Sequence, residues 1–217
     1  VGHQIDDATQ VYLPIDDYLN WFGWGAKRLS APHLGLDIAD EVQAESFGIL
    51  GYLLKNAPTV AVYCEMLERY QFVLMTGMQF TCRATGRQFE VQWEVFRPPS
   101  EGVRHDIEFS LAAFLNVLQD ALGDAIVPQK VFLSHACRNP RDRYARTFGS
   151  EVLFNQDQNC LFFSKNLLGI PLSTSDSRLL AILREHADTQ LQQWQANENL
   201  VDRTKFLITT SLDTEDA

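Results

Sequence analysis

The spacing of apolar residues divides the chain into helical and extended stretches. Residues 1–37 interleave Tyr12, Tyr18, Trp21, Phe22 and Trp24 with Pro14, Gly23, Gly25, Pro32 and Gly35, which predicts a short helix over 16–24 and then a loop. From Asp40 the period is helical, with Val42, Phe47, Leu50, Leu53 and Leu54 near i, i+3, i+4 spacing. That stretch stops at Asn56-Ala57-Pro58, because proline has no N–H to continue it. Thr59 is placed to cap a helix to about Tyr70 that carries Val62, Tyr63, Met66, Leu67 and Tyr70 on one face. The period then falls to two. Met78, Phe80, Cys82 and Ala84 alternate with polar residues, and after Thr85-Gly86-Arg87 the alternation resumes through Phe89, Val91, Trp93 and Val95, predicting a β-hairpin with one buried face.

Residues 106–123 form the clearest helix: Ile107, Leu111, Phe114, Leu115, Leu118 and Leu122 make a broad apolar stripe and Gly123 supplies the stop. A strand over 130–136 follows, with His135 on the face of Val131 and Leu133, then a short helix over 141–148. Two strands, 151–154 and 160–164, are joined by the polar turn 155–159. A helix over 173–196 closes the folded part, with Ser173 and Asp176 in capping-box-like spacing. Strands that come as hairpins separated by helices predict an α+β protein: an antiparallel or mixed sheet built from hairpins and covered by several helices. The expected organisation is an aromatic and loop-rich extension over 1–37, one domain over 38–196, and a linker over 197–217, where the cluster Phe206-Leu207-Ile208 gives way to Asp213-Thr214-Glu215-Asp216.

Composition narrows the function classes. The chain has 217 residues, with 18 Lys and Arg against 28 Asp and Glu, a formal charge of −10, which is the wrong balance for neutralising the phosphates of DNA or of an anionic membrane. No apolar run approaches the roughly 20 residues of a membrane-spanning helix, and Asp6 and Asp7 stand where a signal peptide would be basic and then apolar. Cys64, Cys82, Cys137 and Cys160 are far apart without a C-x-x-C pair, so they read as buried free thiols of a reducing cytoplasm.

Candidate chemistry is sparse. There is no G-x-S-x-G elbow, P-loop, H-E-x-x-H or dinucleotide fingerprint, so no catalytic residue, cofactor or metal is assigned. The five histidines are scattered, and His135 is expected to point inward as either a core residue or a ligand contact. Arg138, Arg141, Arg143 and Arg146 surround Tyr144 and form either a solvated face or a recognition patch for an anion. In Phe47-Gly48-Ile49-Leu50-Gly51-Tyr52 each glycine lowers helix propensity by about 1 kcal/mol. Close approach of a neighbouring helix accounts for such a pair, and room for a small ligand is the second explanation.

An ordered series of short motifs resembles the N-terminal effector domain of one branch of the AraC/XylS family of bacterial transcription regulators, the arabinose-binding-like branch. It comprises Phe47-Gly48-x-x-Gly51-Tyr52, Ala57-Pro58-Thr59-Val60, Glu68-Arg69-Tyr70, the strand ending in His135, Tyr144, Phe148-Gly149, Val152-x-Phe154, Asn159-x-Leu161-x-Phe163, and Leu167 to Pro171-Leu172, spanning about residues 38–190. The resemblance implies a regulatory domain that senses a small-molecule effector of unknown identity, forms a homodimer, and controls a downstream helix-turn-helix domain missing from this chain. DNA contact would come only through that missing domain. The dimer contact is expected on the helix over 176–196. An apolar effector pocket between the hairpin and the helices is expected to draw on Phe47, Tyr52, Tyr70, Trp93, His135 and Tyr144, each of which is also a candidate core residue. A small-molecule enzyme and a purely structural dimerisation module are the rival classes.

Overall fold

A computed structural model describes residues 13–138 and 140–197. Among them are seven α-helices and one five-stranded mixed sheet, the α+β architecture expected from the alternation of periods. The helices are α1 (Ile15–Leu29), α2 (Leu34–Glu41), α3 (Gly48–Lys55), α4 (Val60–Leu74), α5 (Glu101–Leu122), α6 (Arg141–Phe148) and α7 (Ser177–Asn197). The strands are β1 (Met78–Thr85), β2 (Gln88–Val95), β3 (Lys130–Phe132), β4 (Val152–Leu153) and β5 (Cys160–Ser164).

The hairpin falls where the period-two pattern put it. β1 and β2 pair antiparallel from Met78 opposite Val95 to Thr85 opposite Gln88, and Gly86 takes φ +58° in the turn between them. The sheet order is β1-β2-β5-β3-β4, antiparallel except for the parallel pair β3–β4. The strands around the polar turn 155–159 therefore do not pair with each other as the turn suggested. Val131 of β3 lies between them, opposite Leu161 on one side and Val152 on the other. The strand expected over 130–136 ends at Phe132, which leaves His135 in the loop beyond it.

The long helix expected from Asp40 onward is broken. α2 ends at Glu41, a 3₁₀ turn covers Ala44–Phe47, and α3 starts at Gly48. Gly48 has φ +55°, outside the helical region, so the chain changes direction there. Gly51 explains the second glycine: a β-carbon at that position would lie 1.5 Å from the carbonyl oxygen of Ala44. The close approach expected of a neighbouring helix is made by the adjacent 3₁₀ turn.

Two caps follow the expected chemistry and one does not. Thr59 Oγ1 accepts from the Val62 amide at 3.4 Å, and α5 stops at Gly123 in the left-handed conformation. α7 is capped by Asp176, whose Oδ1 accepts from the amides of Arg178 and Leu179, whereas the Ser173 hydroxyl donates to Ala121 O at 3.0 Å.

α5 is the axis of the fold. It begins five residues before the periodic stripe, capped by Ser100 Oγ on the Val103 amide at 3.2 Å, and is buried along most of its length. α1, α2, α3, α6 and β2 all pack against it. α1 and the first turn of α2, which fall in the segment 1–37 expected to be an aromatic and loop-rich extension, contribute Leu19 and Leu36 to the same core as the rest. Phe80, Phe89, Val91 and Trp93 bring the hairpin's inner face into that core, and α7 lies across α3 and α4.

Candidate functional site

Helical periodicity aims one residue stripe from each of several elements at a common space. On α5 the stripe is Asp106, Ser110, Ala113, Phe114 and Val117, at i, i+4, i+7, i+8 and i+11. α1 contributes Ile15, Tyr18 and Phe22, and α4 contributes Tyr63 and Leu67. Phe47, Leu50 and Leu54 enter from α3 and the turn before it, Met78 and Phe80 from β1, and Trp194 from α7. Together they line a partly open cavity of about 490 Å³ with walls of hydrocarbon and aromatic rings, within the size range of small-molecule sites. Phe72 stacks on Trp194 with ring centroids 5.6 Å apart, and both line the cavity, so α7 forms part of its wall.

Among the described residues Asp106 is the one acidic residue of this lining. Its Oδ1 accepts from the Tyr18 hydroxyl and its Oδ2 from Trp93 Nε1, each at 2.9 Å, so α1 and β2 are tied to α5 at one point. Burial pushes its carboxyl up to about 6, against hydrogen bonds from Trp93, Tyr18 and Ser110 that hold it down. Burial likewise raises the Tyr63 phenol, and burial together with the Asp106 charge raises that of Tyr18, so both stay protonated at neutral pH.

A second cluster lies around the far side of α5, because Glu108 is two residues from Asp106 and points to another face. Glu108 accepts from Arg104 Nη1 at 2.8 Å and from the Tyr144 hydroxyl at 2.6 Å, and His105 and His135 each stand 3.5 Å from its carboxylate. Burial alone would raise this carboxyl, but the neighbouring His105, the Arg104 charge and the hydrogen bond from Tyr144 bring it below the usual value. Burial lowers His135 and favours its neutral form. The ring of His33 packs edge-on against Tyr144, with centroids 5.2 Å apart. Histidines scattered in the sequence thus converge here, yet no group of His, Cys, Asp and Glu among the described residues is arranged to hold a metal ion.

The six residues expected to share one pocket occupy different places. Phe47 lines the cavity. Trp93 sits directly behind it, fully buried, with its ring 4.3 Å from that of Phe80. Tyr70 is buried under α7, where its hydroxyl donates to Asp188 at 2.8 Å, and Tyr52 is 43% exposed on the outer side of α3. His135 and Tyr144 belong to the Glu108 cluster, on the opposite side of α5 from the cavity. The sequence reading missed Tyr18, Tyr63, Asp106, Ser110 and Trp194. The available signal was Asp106, a carboxylate followed by Ser110, Ala113 and Phe114 at helical spacing, which reads as a helix start until Ser100 is seen to be the cap.

The arginine patch is largely neutralised within the fold. Arg143 pairs with Asp37 at 3.2 Å and Asp40 at 2.6 Å, Arg138 pairs with Glu101 at 2.9 Å, and Arg141 lies over the ring of Phe154. The cysteines are free, Cys64 and Cys160 buried and Cys82 and Cys137 partly so. No helix among the described residues is long and apolar enough to cross a membrane.

Helices wrapped on a mixed sheet around a mostly apolar pocket form a fold able to hold a small ligand. The chain belongs to the family described as the arabinose-binding domain of AraC transcription regulators, at their N-terminus; the family profile matches residues 4–172. The match reaches back through α1 and α2, beyond the start of the motif series at about residue 38. The crystal structure of the transcriptional regulator CdpR from Pseudomonas aeruginosa has a similar fold, with a TM-score of 0.66 at 16% identity. The similarity covers 86% of this chain and 61% of CdpR, so the chain spans less than two thirds of that protein. No curated protein sequence matches the chain significantly.

Proposed function

We propose that this chain is the effector-sensing half of its regulator and that the cavity between α1, α3, α4, α5, β1 and α7 is the effector site. The observation that carries this reading is the partly open apolar pocket of about 490 Å³, lined by side chains from separate elements. A mostly apolar recess of this volume reaching in to buried core residues is the kind of space in which small molecules are held. Its walls do not suit arabinose. A pentose carries a hydroxyl on almost every carbon, and each needs a partner when buried, whereas this lining is mostly Leu, Ile, Met and Phe.

The route from effector to output runs through α7. Trp194 touches the cavity and stacks on Phe72, while Asp188 is held by Arg69 at 2.8 Å and by Tyr70. An occupant that packs better against one position of α7 shifts the helix equilibrium by its differential affinity, and couplings of this kind are about 1–3 kcal/mol. In this reading a helix-turn-helix domain follows the linker over 197–217, most of which lies outside the described residues. The protein works as a cytoplasmic homodimer without catalysis of its own. Leu179 and Ile182, exposed three residues apart on α7, support placing the dimer contact on that helix.

The test is thermal unfolding of the chain against a small-molecule library, in parallel with Ala113→Leu. Ala113 is buried in the cavity wall, and a leucine there fills the space. Cavity filling is expected to raise stability by about 0.5–2 kcal/mol. Effectors should raise the melting temperature of the unaltered chain and leave that of Ala113→Leu unchanged. Equal shifts in both proteins, or none across the library, would refute the site.

A further inference from the structure

If the cavity is the effector site, its walls also select the chemical class of the effector. We infer that the ligand is an uncharged, predominantly hydrocarbon molecule carrying a hydroxyl or carbonyl that meets the Tyr63 hydroxyl, and that carboxylates of the fatty-acid type are rejected.

Three features of the lining lead there. Among the described residues no lysine, arginine or histidine lines the cavity, so an anionic group drawn fully into it would leave water without a counter-charge. The acidic group among the described lining residues is the carboxyl of Asp106, and a second carboxylate beside it would be repelled. Cations fare little better. Asp106 has 0% exposure, and its oxygens already accept from Tyr18 and Trp93, so the groups that hold it in place also cover it from a ligand ammonium.

Tyr63 supplies the positive requirement. It is 1% exposed, its ring packs edge-on against Phe114 at 5.7 Å, and it lines the cavity. A phenol this deeply buried favours a hydrogen-bonding partner, and a ligand in the cavity can supply one. Because burial holds the phenol protonated, it presents a neutral donor and acceptor, suited to an isolated hydroxyl or carbonyl on an otherwise apolar molecule.

The experiment is displacement of the neutral dye Nile red from the whole chain at pH 8 by decan-1-ol, decan-2-one, decanoate and decylammonium, with butylbenzene as hydrocarbon control. Thermal shift serves as an independent readout. The alcohol and ketone should act at concentrations at least about tenfold lower than decanoate or decylammonium. Tyr63→Phe should weaken decan-1-ol about five- to tenfold, the loss of one hydrogen bond, and leave butylbenzene unchanged. Decanoate as effective as decanol, or decylammonium more effective, overturns the charge preference while leaving the cavity as the effector site. An unchanged decanol response in Tyr63→Phe overturns the anchor. If Tyr63→Phe does not fold, the ranking on the unaltered chain still decides the preference. Absence of binding by every compound, or binding unaffected by Ala113→Leu, overturns the site itself and this inference with it.

Discussion

Replacing Asp106 by asparagine should change how the stability of the domain depends on pH, and the sign follows from its surroundings. The carboxyl ionises near 3.8 when exposed in the unfolded chain and is raised to about 6 in the fold. Below pH 3.8 it is protonated in both states and makes no difference between them. Between 3.8 and about 6 the unfolded chain has released the proton and the native state still holds it, so stability falls as pH rises. Roughly two pH units at 1.36 kcal/mol each give a loss of about 3 kcal/mol, complete above pH 6 and absent from the asparagine variant. A separate, pH-independent offset of about 1–3 kcal/mol is expected, because one asparagine oxygen cannot accept from both the Tyr18 hydroxyl and Trp93 Nε1. Urea unfolding followed by circular dichroism at pH 4.5, 5.5, 6.5 and 7.5 measures both. The stability of the unaltered chain relative to Asp106→Asn should drop by about 2 kcal/mol across that series, most of it below pH 6. A difference constant to within about 0.5 kcal/mol, or one that grows with pH, would mean that burial does not dominate at Asp106.

Other substitutions separate the causes of the broken helix and of the second cluster. Gly51→Ala should destabilise by about 3 kcal/mol or more, since its β-carbon would overlap the Ala44 carbonyl, whereas Gly48→Ala, with open space around it, should cost about 1–3 kcal/mol for its positive φ alone. Equal costs by chemical denaturation would contradict the close approach at Gly51. Glu108→Leu leaves Arg104, which is 9% exposed at its side chain, without its buried partner and should cost about 3–5 kcal/mol. A loss below about 1 kcal/mol would show that Glu101, the other carboxylate on Arg104, suffices to hold it.

Much of the fold was legible because its signals are local. The hairpin register follows from alternation on both sides of a two-residue turn, and α4 and the end of α5 follow from Thr59 and Gly123. The break at Gly48 was not legible as a break, because glycine in a helical pattern is compatible with either a helix or a turn until the packing of Ala44 on Gly51 selects one. The pairing of β3 between β4 and β5 was equally hidden. Short strands carry little pattern, and their order depends on which neighbours can be reached in three dimensions.

The candidate site divides along the same line. The pattern of residues placed Phe47 and Tyr63 on apolar helix faces, and the motif series pointed to a regulator's effector domain, a family that the profile match shows. Aromatic residues at plausible spacings were not enough to define a pocket. Trp93, His135 and Tyr144 all contact α5, yet Asp106 and Glu108, two positions apart on that helix, draw them to opposite sides of it. Sequence by itself determined most of the apolar faces that are buried, since such burial follows from local periodicity and hydrophobicity, but not the exposure of Tyr52 or the burial of Asp106 and Glu108. Only the tertiary structure decided which buried surfaces meet a cavity and which meet each other, because that depends on how helices distant in the chain are rotated and packed.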